Sequence, residues 1–223
     1  MAHNRALVVG SSGGIGAALC RVMAGQGWQV TGLSRRDNGF DITTETAVVA
    51  GLADLMPGFD RLIIATGALA LAGQAPEKSL RALDPGAMAA QFAVNAIGPA
   101  LVIKHALRLI PRDRPTLIAA LSARVGSIGD NRLGGWYSYR AAKAALNQLI
   151  HTAAIEIGRS HPQAVVVALH PGTVETPLTE GFRGGHAAMA PDAAATALLS
   201  VMDRLTPAQT GGFLDWKGQP VEW

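Results

Sequence analysis

The sequence predicts an α/β protein whose strands form one doubly wound parallel sheet, and three observations support this fold class. Apolar, strand-like runs alternate with helical patterns along the 223 residues. Most of these runs are apolar on both faces, as expected for parallel strands that helices cover on each side. A glycine-rich turn separates the first run from the first helical pattern. Regular alternation of this kind is typical of a doubly wound sheet.

The elements follow one another without a linker or an internal repeat, so we expect one domain over residues 1–223. The strand-like runs are Ala6–Val9, Gln29–Leu33, Leu62–Ala65, Thr116–Leu121 and Ala164–Leu169. Helical patterns cover residues 14–26, 44–56, 86–109, 137–159 and 191–205. The glycine-rich segment 178–190 breaks the alternation after a strand, and we expect it to form a short substrate lid. Pro191 then begins the last helix, in the first turn where proline is favoured.

Composition places the chain among globular proteins of one domain. With 223 residues, of which 49% are hydrophobic and 16% charged, the chain can bury one core and is unlike a disordered protein. The net charge of +3 comes from dispersed residues, whereas nucleic-acid binding needs a concentrated basic patch. We therefore expect no nucleic-acid partner.

Cysteine content and the distribution of apolar residues indicate where the protein works. Cys20 is the single cysteine, which excludes an intrachain disulfide and agrees with a reducing cytosol. Its helical pattern favours a buried, structural thiol. The amino-terminal residues lack the apolar stretch of a signal peptide. We also expect no uncharged apolar run long enough to span a membrane, and hence a cytoplasmic protein with no membrane partner. We assign no metal site.

A glycine-rich turn links the first strand to the first helix, in the sequence Gly10-Ser11-Ser12-Gly13-Gly14-Ile15-Gly16. Glycines permit the tight backbone angles and the close approach that a pyrophosphate requires, and the following helix N-terminus supplies N–H donors. Ser11 and Ser12 can add hydroxyl donors. The alternative is an ordinary tight turn, but the position after the amino-terminal strand favours dinucleotide binding in a Rossmann-fold domain.

The end of the second strand predicts which dinucleotide is bound. Cofactors without a 2′-phosphate are usually held there by an acidic residue, but this chain has Ser34, Arg35 and Arg36. A guanidinium can pair bidentately with a phosphate, so we predict NADP(H) in preference to NAD(H). Without the upstream turn, the two arginines would read as a solvated charge pair.

Tyr139 and Lys143 lie four residues apart in a helical pattern and therefore on one face of the helix. A tyrosine has an ordinary pKa of about 10, too high for efficient proton exchange at neutral pH. A nearby ammonium group favours the phenolate and lowers that pKa, which makes the tyrosine a usable acid or base. Taken alone, the pair would more often be an exposed helical pair.

Several segments share their order and spacing with one protein family. They are Gly10–Gly16, Asp41-Ile42, Ala65–Gly67, Asn95, the region of Ser122, Tyr139 with Lys143, and Pro171–Thr176. With them the chain resembles the short-chain dehydrogenase/reductase family over nearly its whole length. Two further segments resemble the branch of C-factor and carbonyl-reductase-like proteins. These are Gly134–Arg140 and the ending Phe213–Trp216.

The resemblance implies a role for each matching residue. Tyr139 would exchange a proton with the substrate oxygen, and Lys143 would lower the pKa of Tyr139 and bind the nicotinamide ribose. Asn95 would hold a water in a proton relay to Lys143; without the resemblance it reads as a polar residue inside a helix. Asp41 would contact the adenine, and Val174 with Thr176 would hold the carboxamide. The cofactor-binding residues would be Gly10, Ser11, Ser12, Gly14, Ile15, Gly16, Ser34, Arg35, Arg36, Asp41, Ala65, Thr66, Gly67, Tyr139, Lys143, Pro171, Gly172, Val174 and Thr176.

The chain departs from the family pattern at two places. The family's Asn-Asn-Ala-Gly stretch is here Ile64–Gly67, a change that we expect to adjust the sheet rather than abolish function. The family's catalytic serine stands three residues before a glycine, and Ala123 occupies that register. Ser122 could replace it only if the strand end bends, because adjacent strand residues face opposite sides. Ser127 is another nearby hydroxyl.

Two further residues near these motifs have plainer interpretations. Tyr137 stands four residues before an alanine instead of a lysine. We therefore expect its side chain to pack against other residues or to lie at the rim of the substrate site. His170 follows a buried strand and can be read as a general base, but a hydrogen-bonded histidine at the strand end fits better.

The residues and the resemblance together predict an NADP(H)-dependent oxidoreductase that interconverts a carbonyl and an alcohol by hydride transfer, with Tyr139 as acid and base. The cofactor supplies the chemistry, and the protein supplies geometry and electrostatics. One alternative is a dinucleotide-binding signalling protein with little turnover, as in C-factor. Another is a lyase or epimerase that retains its cofactor. We expect a small-molecule substrate and a homodimer or homotetramer, as the family implies.

Overall fold

The computed structural model describes residues 4–71, 73–182 and 187–223. It contains one sheet of six parallel strands in the order β2-β1-β3-β4-β5-β6. The strands are β1 Arg5–Val9, β2 Gln29–Leu33, β3 Arg61–Ile64, β4 Thr116–Leu121, β5 Ala164–His170 and β6 Phe213–Asp215. The chain therefore has the predicted doubly wound α/β fold in a single Rossmann-fold domain.

Helices cover both faces of this sheet. The α-helices are α1 Gly14–Gly25, α2 Arg35–Asn38, α3 Glu45–Ala53, α4 Pro85–Phe92, α5 Gly98–Ala106, α6 Tyr137–Ser160 and α7 Pro191–Met202. Short 3₁₀ turns lie at Leu80–Ala82, Leu107–Leu109, Arg124–Gly126 and Pro207–Gln209, and a π turn at Ala93–Ile97 joins α4 to α5. The boundaries agree with the sequence prediction to within a few residues. The short α2 and the three-residue β6 were not predicted.

The core has two layers because each strand sends alternate side chains to opposite faces of the sheet. Leu7 and Val9 of β1 join the layer under α3, α5 and α6, where Leu62 and Ile118 also lie. On the other face, strand residues such as Val8 pack against α1 and α7. Burial of both faces explains why the strands read as continuous apolar runs.

The sheet order reverses beside β1, whose neighbours are β2 on one side and β3 on the other. In an open parallel sheet, a crevice for ligands forms outside the carboxyl ends of the strands at such a reversal. The register pairs Val9 with both Leu33 and Ile64, so all three strands end at one level. The residues that follow them therefore lie together around this crevice.

The helical stretch Pro85–Leu109 contradicts the expectation that the chain has no apolar run long enough to span a membrane. It has a mean hydropathy of 1.5 over an 18-residue window, so by length and composition it is apolar enough to cross a membrane. The expectation that no such run exists was wrong, because residues 85–103 contain no charged side chain. The stretch is interrupted by the π turn and packs against α6 and β3 with Asn95 and Val102 fully buried. Of the 18-residue window, 39% is buried, so contacts in the core account for part of its apolar composition.

Candidate active site

The glycine turn between β1 and α1 has the close backbone contacts that its sequence predicts. Gly10 has a φ of 88°, and its N–H donates to Leu33 O at the end of β2 (2.7 Å). A Cβ atom on Gly10 would lie 2.8 Å from the backbone of Ala65, and one on Gly16 would lie 2.1 Å from Gly10 O. Side chains at either position would therefore displace backbone, so the turn requires glycine.

The other residues of the turn have different surroundings. A Cβ atom on Gly14 would lie 2.5 Å from Thr176 Cγ2, so the segment after β5 closes directly onto the first turn of α1. Ser11 packs against Gly32 of β2, while Ser12 lines the groove described below. Ile15 packs into the core layer shared with α7. Of the two serines, Ser12 is thus the one placed to meet a ligand.

A groove of about 310 Å³ opens between the carboxyl ends of β1, β2 and β3. Its lining includes eight of the predicted cofactor residues, and these are Gly10, Ser12, Ser34, Arg35, Asp41, Ala65, Thr66 and Gly67. Thr66 Oγ1 is buried and has no hydrogen-bond partner. A buried hydroxyl without a hydrogen-bond partner costs free energy, so a polar ligand in this groove that bonded to Thr66 Oγ1 would remove that cost. The donors and the shape fit a dinucleotide.

The two arginines after β2 differ in their placement. Ser34 caps α2, because its hydroxyl accepts from Asp37 N (3.1 Å) and donates to the Asp37 carboxylate (3.0 Å). Asp37 in turn binds Arg36 Nε (2.9 Å), whose side chain is 72% exposed. Arg35 instead lines the groove. Arg35 is therefore the residue that could meet a ribose phosphate, and Arg36 stabilises the turn beside it.

Asp41 lies across the groove from the glycine turn. Its Oδ1 accepts from Thr43 N (2.9 Å) and from Thr43 Oγ1 (2.7 Å). These hydrogen bonds hold the pKa of Asp41 below its ordinary value, with a smaller contribution from the charge of Arg35. Asp41 is therefore a fixed, ionised acceptor on the wall of the groove.

Tyr139 and Lys143 lie in the first two turns of α6, side by side and buried. Lys143 Nζ donates to Leu121 O at the end of β4 (2.9 Å) and lies 6.0 Å from the centroid of the Tyr139 ring. A Cβ atom on Gly67 would lie 3.4 Å from Nζ, so this glycine leaves the space through which the lysine reaches the groove. The pair thus lies where the groove meets the carboxyl end of β4.

Burial governs the protonation of both groups. Burial lowers the pKa of Lys143 to about 7 and raises the pKa of Tyr139, because both charged forms lose hydration. The sequence predicts that an ammonium group at Lys143 lowers the pKa of Tyr139. Burial outweighs that effect, because a lysine with a pKa of about 7 is protonated for only part of the time at neutral pH. Tyr139 is therefore a neutral phenol, the form that can donate a proton.

Asn95 lies in the π turn Ala93–Ile97, a local widening that is frequent at functional sites. Its Nδ2 donates to Ala68 O (2.9 Å) and to Gln91 Oε1 (2.6 Å), and its Oδ1 accepts from Ala68 N (3.1 Å). Gln91 Nε2 donates to Leu69 O (2.9 Å). The two amides thereby fix the segment after β3 beside Lys143. The sequence analysis did not single out Gln91, whose helical position alone carries no such signal.

The segment Pro171–Thr176 after β5 covers the end of the groove near α1. Gly172 has a φ of 78°, and a Cβ atom there would lie 2.8 Å from Met189 Cε. Val174 is buried in a bridge to Met189, and Thr176 Oγ1 lies 3.4 Å from Thr179 Oγ1. These predicted residues therefore contact α1 and the second half of the segment 178–190. Residues 183–186 of that segment lie outside the described residues.

His170 is the last residue of β5, and its contacts are those of a hydrogen-bonded histidine at a strand end, not those of a general base. Its Nδ1 accepts from Arg124 N (3.2 Å). Burial lowers the pKa of His170 to about 4, and the charge of Arg124 lowers it further, while Asp215 opposes both. The imidazole is neutral and hydrogen-bonded to the backbone, as in a structural histidine at a strand end.

Comparison with known proteins agrees with this geometry. A family model described as enoyl-(acyl carrier protein) reductase matches residues 9–214. The 1-hydroxy-2-glutathionyl-2-methyl-3-butene dehydrogenase of Rhodococcus sp. (strain AD45) is 32% identical over 97% of this chain and 98% of its own length. The chain belongs to the short-chain dehydrogenase/reductase family. It is accordingly an oxidoreductase of the dehydrogenase and reductase type.

Further similar proteins match this chain over a shorter stretch or at lower identity. The C-signal protein of Myxococcus xanthus is 35% identical over 63% of this chain and 81% of its own length. An NADP-bound family member from Burkholderia multivorans has a TM-score of 0.81 at 26% identity, over 99% of this chain and all of its own. The carbonyl reductase Sniffer of D. melanogaster shares the fold, with a TM-score of 0.85 at 20% identity over 99% of this chain and 100% of its own.

Ser122 is placed differently from the serine expected in a short-chain dehydrogenase/reductase. Its Oγ donates to Asn147 Oδ1 of α6 (2.6 Å), and its N–H donates to Leu169 O (2.8 Å). Ala123 has φ −143° and ψ 144°, so the chain stays extended and does not bend there. Ser127 Oγ accepts from Asp130 N (3.0 Å). The Ser122 hydroxyl thus donates within the protein, Ser127 Oγ accepts within it, and Ala123 occupies the family's serine register.

A second cavity of about 310 Å³ lies beside Tyr139, and it contains residues that the sequence analysis did not find. Its lining consists of Leu69, Leu71, Gln74, Ala75, Pro76, Glu77, Lys78, Ala82, Ala87, Gln91 and Tyr139. Leu71 also lines the cofactor groove, so the two spaces are neighbours. The second cavity thus borders both Tyr139 and the groove.

Trp136 forms an aromatic contact above Tyr139. Its ring centroid lies 6.4 Å from that of Tyr139 and 5.9 Å from that of Phe182, both in edge-to-face orientation. Its backbone has φ 53°, the single positive φ among non-glycine residues in the described ranges. Tyr137 follows as the first, partly buried residue of α6. Trp136 thus joins the catalytic helix to the start of segment 178–190.

The largest cavity, of about 540 Å³, lies at the opposite edge of the sheet, among residues such as Trp28, Asp60 and Gln163. It contains none of the predicted site residues, so its size does not identify it as the active site. Among the described residues, no group of histidine, cysteine, aspartate and glutamate side chains could hold a metal ion.

Proposed function

We propose that this protein is an NADP(H)-dependent oxidoreductase that interconverts a carbonyl and an alcohol. The observation that carries the proposal is the position of Tyr139 and Lys143, which are both buried. Tyr139 lines a cavity large enough for a small molecule, and Lys143 Nζ lies beside Gly67, which lines the neighbouring dinucleotide groove. That arrangement presents a proton donor to a substrate held beside a cofactor.

NADP(H) is the cofactor that the groove fits better than NAD(H). Gly10, Ser12 and the first turn of α1 would hold the pyrophosphate, and Arg35 would pair with the 2′-phosphate. The Burkholderia multivorans relative binds NADP, which supports the same assignment. When bound, the cofactor supplies or accepts the hydride at the carbonyl carbon.

The chain's own residues handle the proton. The neutral phenol of Tyr139 donates its proton to the substrate oxygen as negative charge develops there, and the reverse transfer accompanies alcohol oxidation. Lys143, held by Leu121 O, stabilises the phenolate that remains once the lysine is protonated. Asn95 would anchor a water that connects Lys143 with solvent.

The substrate would be a small carbonyl compound or alcohol with an apolar body. The wall of the cavity beside Tyr139 is largely aliphatic, with Leu69, Leu71 and Pro76 among its residues. Such residues favour apolar surface, and the polar lining residues, among them Gln74 and Lys78, could orient the ligand. Two relatives are named as dehydrogenases of hydroxy compounds, a 1-hydroxy-2-glutathionyl methylbutene and cis-4-hydroxycyclohexanecarboxylate, which supports an alcohol or its carbonyl product as the substrate.

The test is an NADPH oxidation assay over a panel of aldehydes, ketones and diketones, followed by the absorbance of the reduced nicotinamide. We expect turnover with wild type and a loss of about 1000-fold in Tyr139→Phe, because the phenyl ring packs similarly but donates no proton. NADPH affinity should be unchanged in the variant. Equal turnover in both proteins would overturn the assignment of the acid.

A second candidate function is dinucleotide-binding signalling with little turnover. Ala123 in the serine register and the bond from Ser122 to Asn147 favour it, because the serine hydroxyl that the family resemblance implies beside the tyrosine is then missing. The similarity to C-signal is a further support. Saturable NADPH binding without oxidation by any member of the carbonyl panel would select this candidate over the first.

We further propose that the protein acts in the cytoplasm as a homodimer or homotetramer, with segment 178–190 as a lid. Ile97, Leu149 and Ile155 are large apolar side chains that are 49%, 39% and 55% exposed on the stretch Pro85–Leu109 and on α6. The contact of Phe182 with Trp136 supports a lid that closes over Tyr139. Light scattering coupled to size-exclusion chromatography tests the assembly, and a monomer would contradict it.

A further inference from the structure

The segment around Glu77 crosses the amino-terminal end of α6, which carries Tyr139. The Glu77 carboxylate accepts hydrogen bonds from Ser138 N (3.3 Å) and from Ser138 Oγ. The Glu77 carbonyl oxygen accepts from Trp136 N (2.5 Å). These contacts connect residues about sixty positions apart in the chain, and they join one wall of the substrate cavity to the helix of the proton donor.

The start of α6 needs such a partner because it has no local cap. The first N–H groups of a helix have no partner within the helix, and a serine or aspartate at the cap position usually accepts from them. The cap residue of α6 is Trp136, whose left-handed backbone and indole ring provide no side-chain cap. Glu77 supplies the acceptor from across the fold, and its negative charge suits the positive end of the helix.

The backbone that enters α6 is also unfavourable by itself. Gly134, Gly135 and Trp136 have φ values of 64°, 66° and 53°, so three consecutive residues are in the left-handed region. Glycine adopts this region freely, but a bulky side chain does so at a cost of about 1–3 kcal/mol and only where surrounding contacts hold it. The bond from Trp136 N to Glu77 O is one such contact.

These contacts lie next to the reacting group. Ser138 immediately precedes Tyr139, and the Trp136 ring packs edge-to-face on the Tyr139 ring. Partial burial opposes ionisation of Glu77, but its hydrogen bonds from Ser138 hold the pKa of the carboxyl below its ordinary value. Glu77 is therefore a charged acceptor at neutral pH.

We infer that Glu77 is a positioning residue for the proton donor: it fixes the first turn of α6 and Trp136, and thereby places the phenol of Tyr139 against the substrate cavity. This role rests on the proposed function, since it assigns Glu77 a task in the step that Tyr139 performs. It also explains why Glu77, although it lines the cavity, is unavailable to bind substrate through its carboxylate.

The experiment compares Glu77→Ala, Glu77→Gln, Ser138→Ala and the double variant Glu77→Ala/Ser138→Ala, with Ser79→Ala as a control two positions away. We expect Glu77→Ala to lower kcat by about 10- to 100-fold, since a misplacement of about 1 Å can cost that much. NADPH affinity should change by less than about 2-fold, because Glu77 lies outside the cofactor groove. Glu77→Gln should recover kcat to within about 3-fold, as its amide oxygen still accepts from Ser138.

Two results would overturn the inference. One is a Glu77→Ala variant with the kcat of wild type. The other is equal losses in kcat, NADPH affinity and melting temperature that Glu77→Gln does not recover, which would indicate a general role in folding. The double variant should lose no more kcat than the worse single variant, because both substitutions break the same contact.

A second measurement separates this inference from the proposed function. The chain has two tyrosines, so in a Tyr137→Phe background the ring resonance of Tyr139 is the single tyrosine signal in an NMR spectrum. We expect Glu77→Ala to shift that resonance and Glu77→Gln to leave it close to wild type. If Glu77→Ala shifts the resonance but no protein reduces any carbonyl, the proposed function is rejected, whereas the claim that Glu77 positions Tyr139 stands. An unshifted resonance in Glu77→Ala would reject the positioning role itself.

Discussion

The dinucleotide groove and the cavity beside Tyr139 lie at the same edge of the sheet, but chain segments of different kinds form their walls. The groove is built from turns that directly follow β1, β2 and β3, so its shape comes from backbone paths that the strand register fixes. The cavity is built from Leu69, Leu71, residues 74–78 and Ala82, from α4 and from α6. Its shape depends on contacts between segments that are distant in the chain.

This difference determines what each region tolerates. In the groove, Gly10 and Gly16 admit no side chain because backbone atoms occupy the space. Beside the cavity, the Glu77–Ser138 contact and the left-handed backbone of Trp136 hold side chains in place. Substitutions in the groove should therefore affect cofactor binding and folding, whereas substitutions around the cavity should affect turnover.

The largest effect is expected from a pair of substitutions in α1. Gly16→Ala would place a Cβ atom 2.1 Å from Gly10 O, whereas Gly25→Ala meets nothing within 4 Å. We expect Gly16→Ala to weaken NADPH binding by more than about 100-fold or to destabilise the fold by about 3 kcal/mol, because backbone must move. Gly25→Ala should be neutral or stabilising by up to about 1 kcal/mol, since alanine favours the helix. Fluorescence titration with NADPH and urea unfolding measure both. Similar behaviour of the two variants would contradict the backbone argument.

Arg35 and Arg36 give the next comparison, within the groove itself. Arg35→Ala should weaken NADPH binding by about 10- to 100-fold and leave NADH binding unchanged, because a hydrogen bond to a charged group contributes about 1.5–3 kcal/mol. Arg36→Ala should change NADPH affinity by less than about 3-fold, as its exposed side chain pairs with Asp37. Calorimetric titration of each variant with both nucleotides is the measurement. Equal losses of NADPH affinity in the two variants would mean that both arginines bind the 2′-phosphate.

The same difference decides how much of the molecule could be predicted from its sequence. The five longer strands and the glycine turn follow from local patterns, since continuous apolar runs and glycine spacing depend on neighbouring residues. The strand β6 has three residues, too few to show a period, and α2 has four. The π turn at Asn95 lies inside an unbroken helical pattern, so its position was not visible in the sequence.

The candidate site divides in the same way. Tyr139, Lys143 and the groove residues were found because their spacing is short or matches a family motif. Glu77, Trp136 and Gln91 were missed because their roles arise from contacts across many residues. Ser122 shows why some contacts cannot be predicted from sequence. The sequence does not determine which way its side chain points, and Asn147, which accepts its hydrogen bond, lies on another element.

The burial of Lys143 should make stability depend on pH. The pKa of this lysine is about 7 in the folded protein and 10.5 ordinarily, so between these values the unfolded chain binds a proton that the folded one does not. Stability should therefore rise by about 2 kcal/mol from about pH 7 to about pH 9, as measured by urea unfolding. Lys143→Met, which removes the group, should flatten this rise. An equal rise in the variant would mean that other groups cause it.

The smallest effect, and the one that most directly tests the substrate side, is expected from Ala123. Ala123→Ser restores a hydroxyl in the register where the family has its serine, while Ser122 remains bonded to Asn147. If carbonyl reduction is the function, this hydroxyl can stabilise the developing charge on the substrate oxygen, and we expect kcat to rise by about 10-fold at unchanged NADPH affinity. Ser122→Ala is the matched control. It should lower the free energy of unfolding by about 1–2 kcal/mol, because Asn147 loses its partner, and should change kcat little. A loss of turnover in Ser122→Ala with no gain in Ala123→Ser would instead make Ser122 the working hydroxyl, with the strand end rearranging when substrate binds.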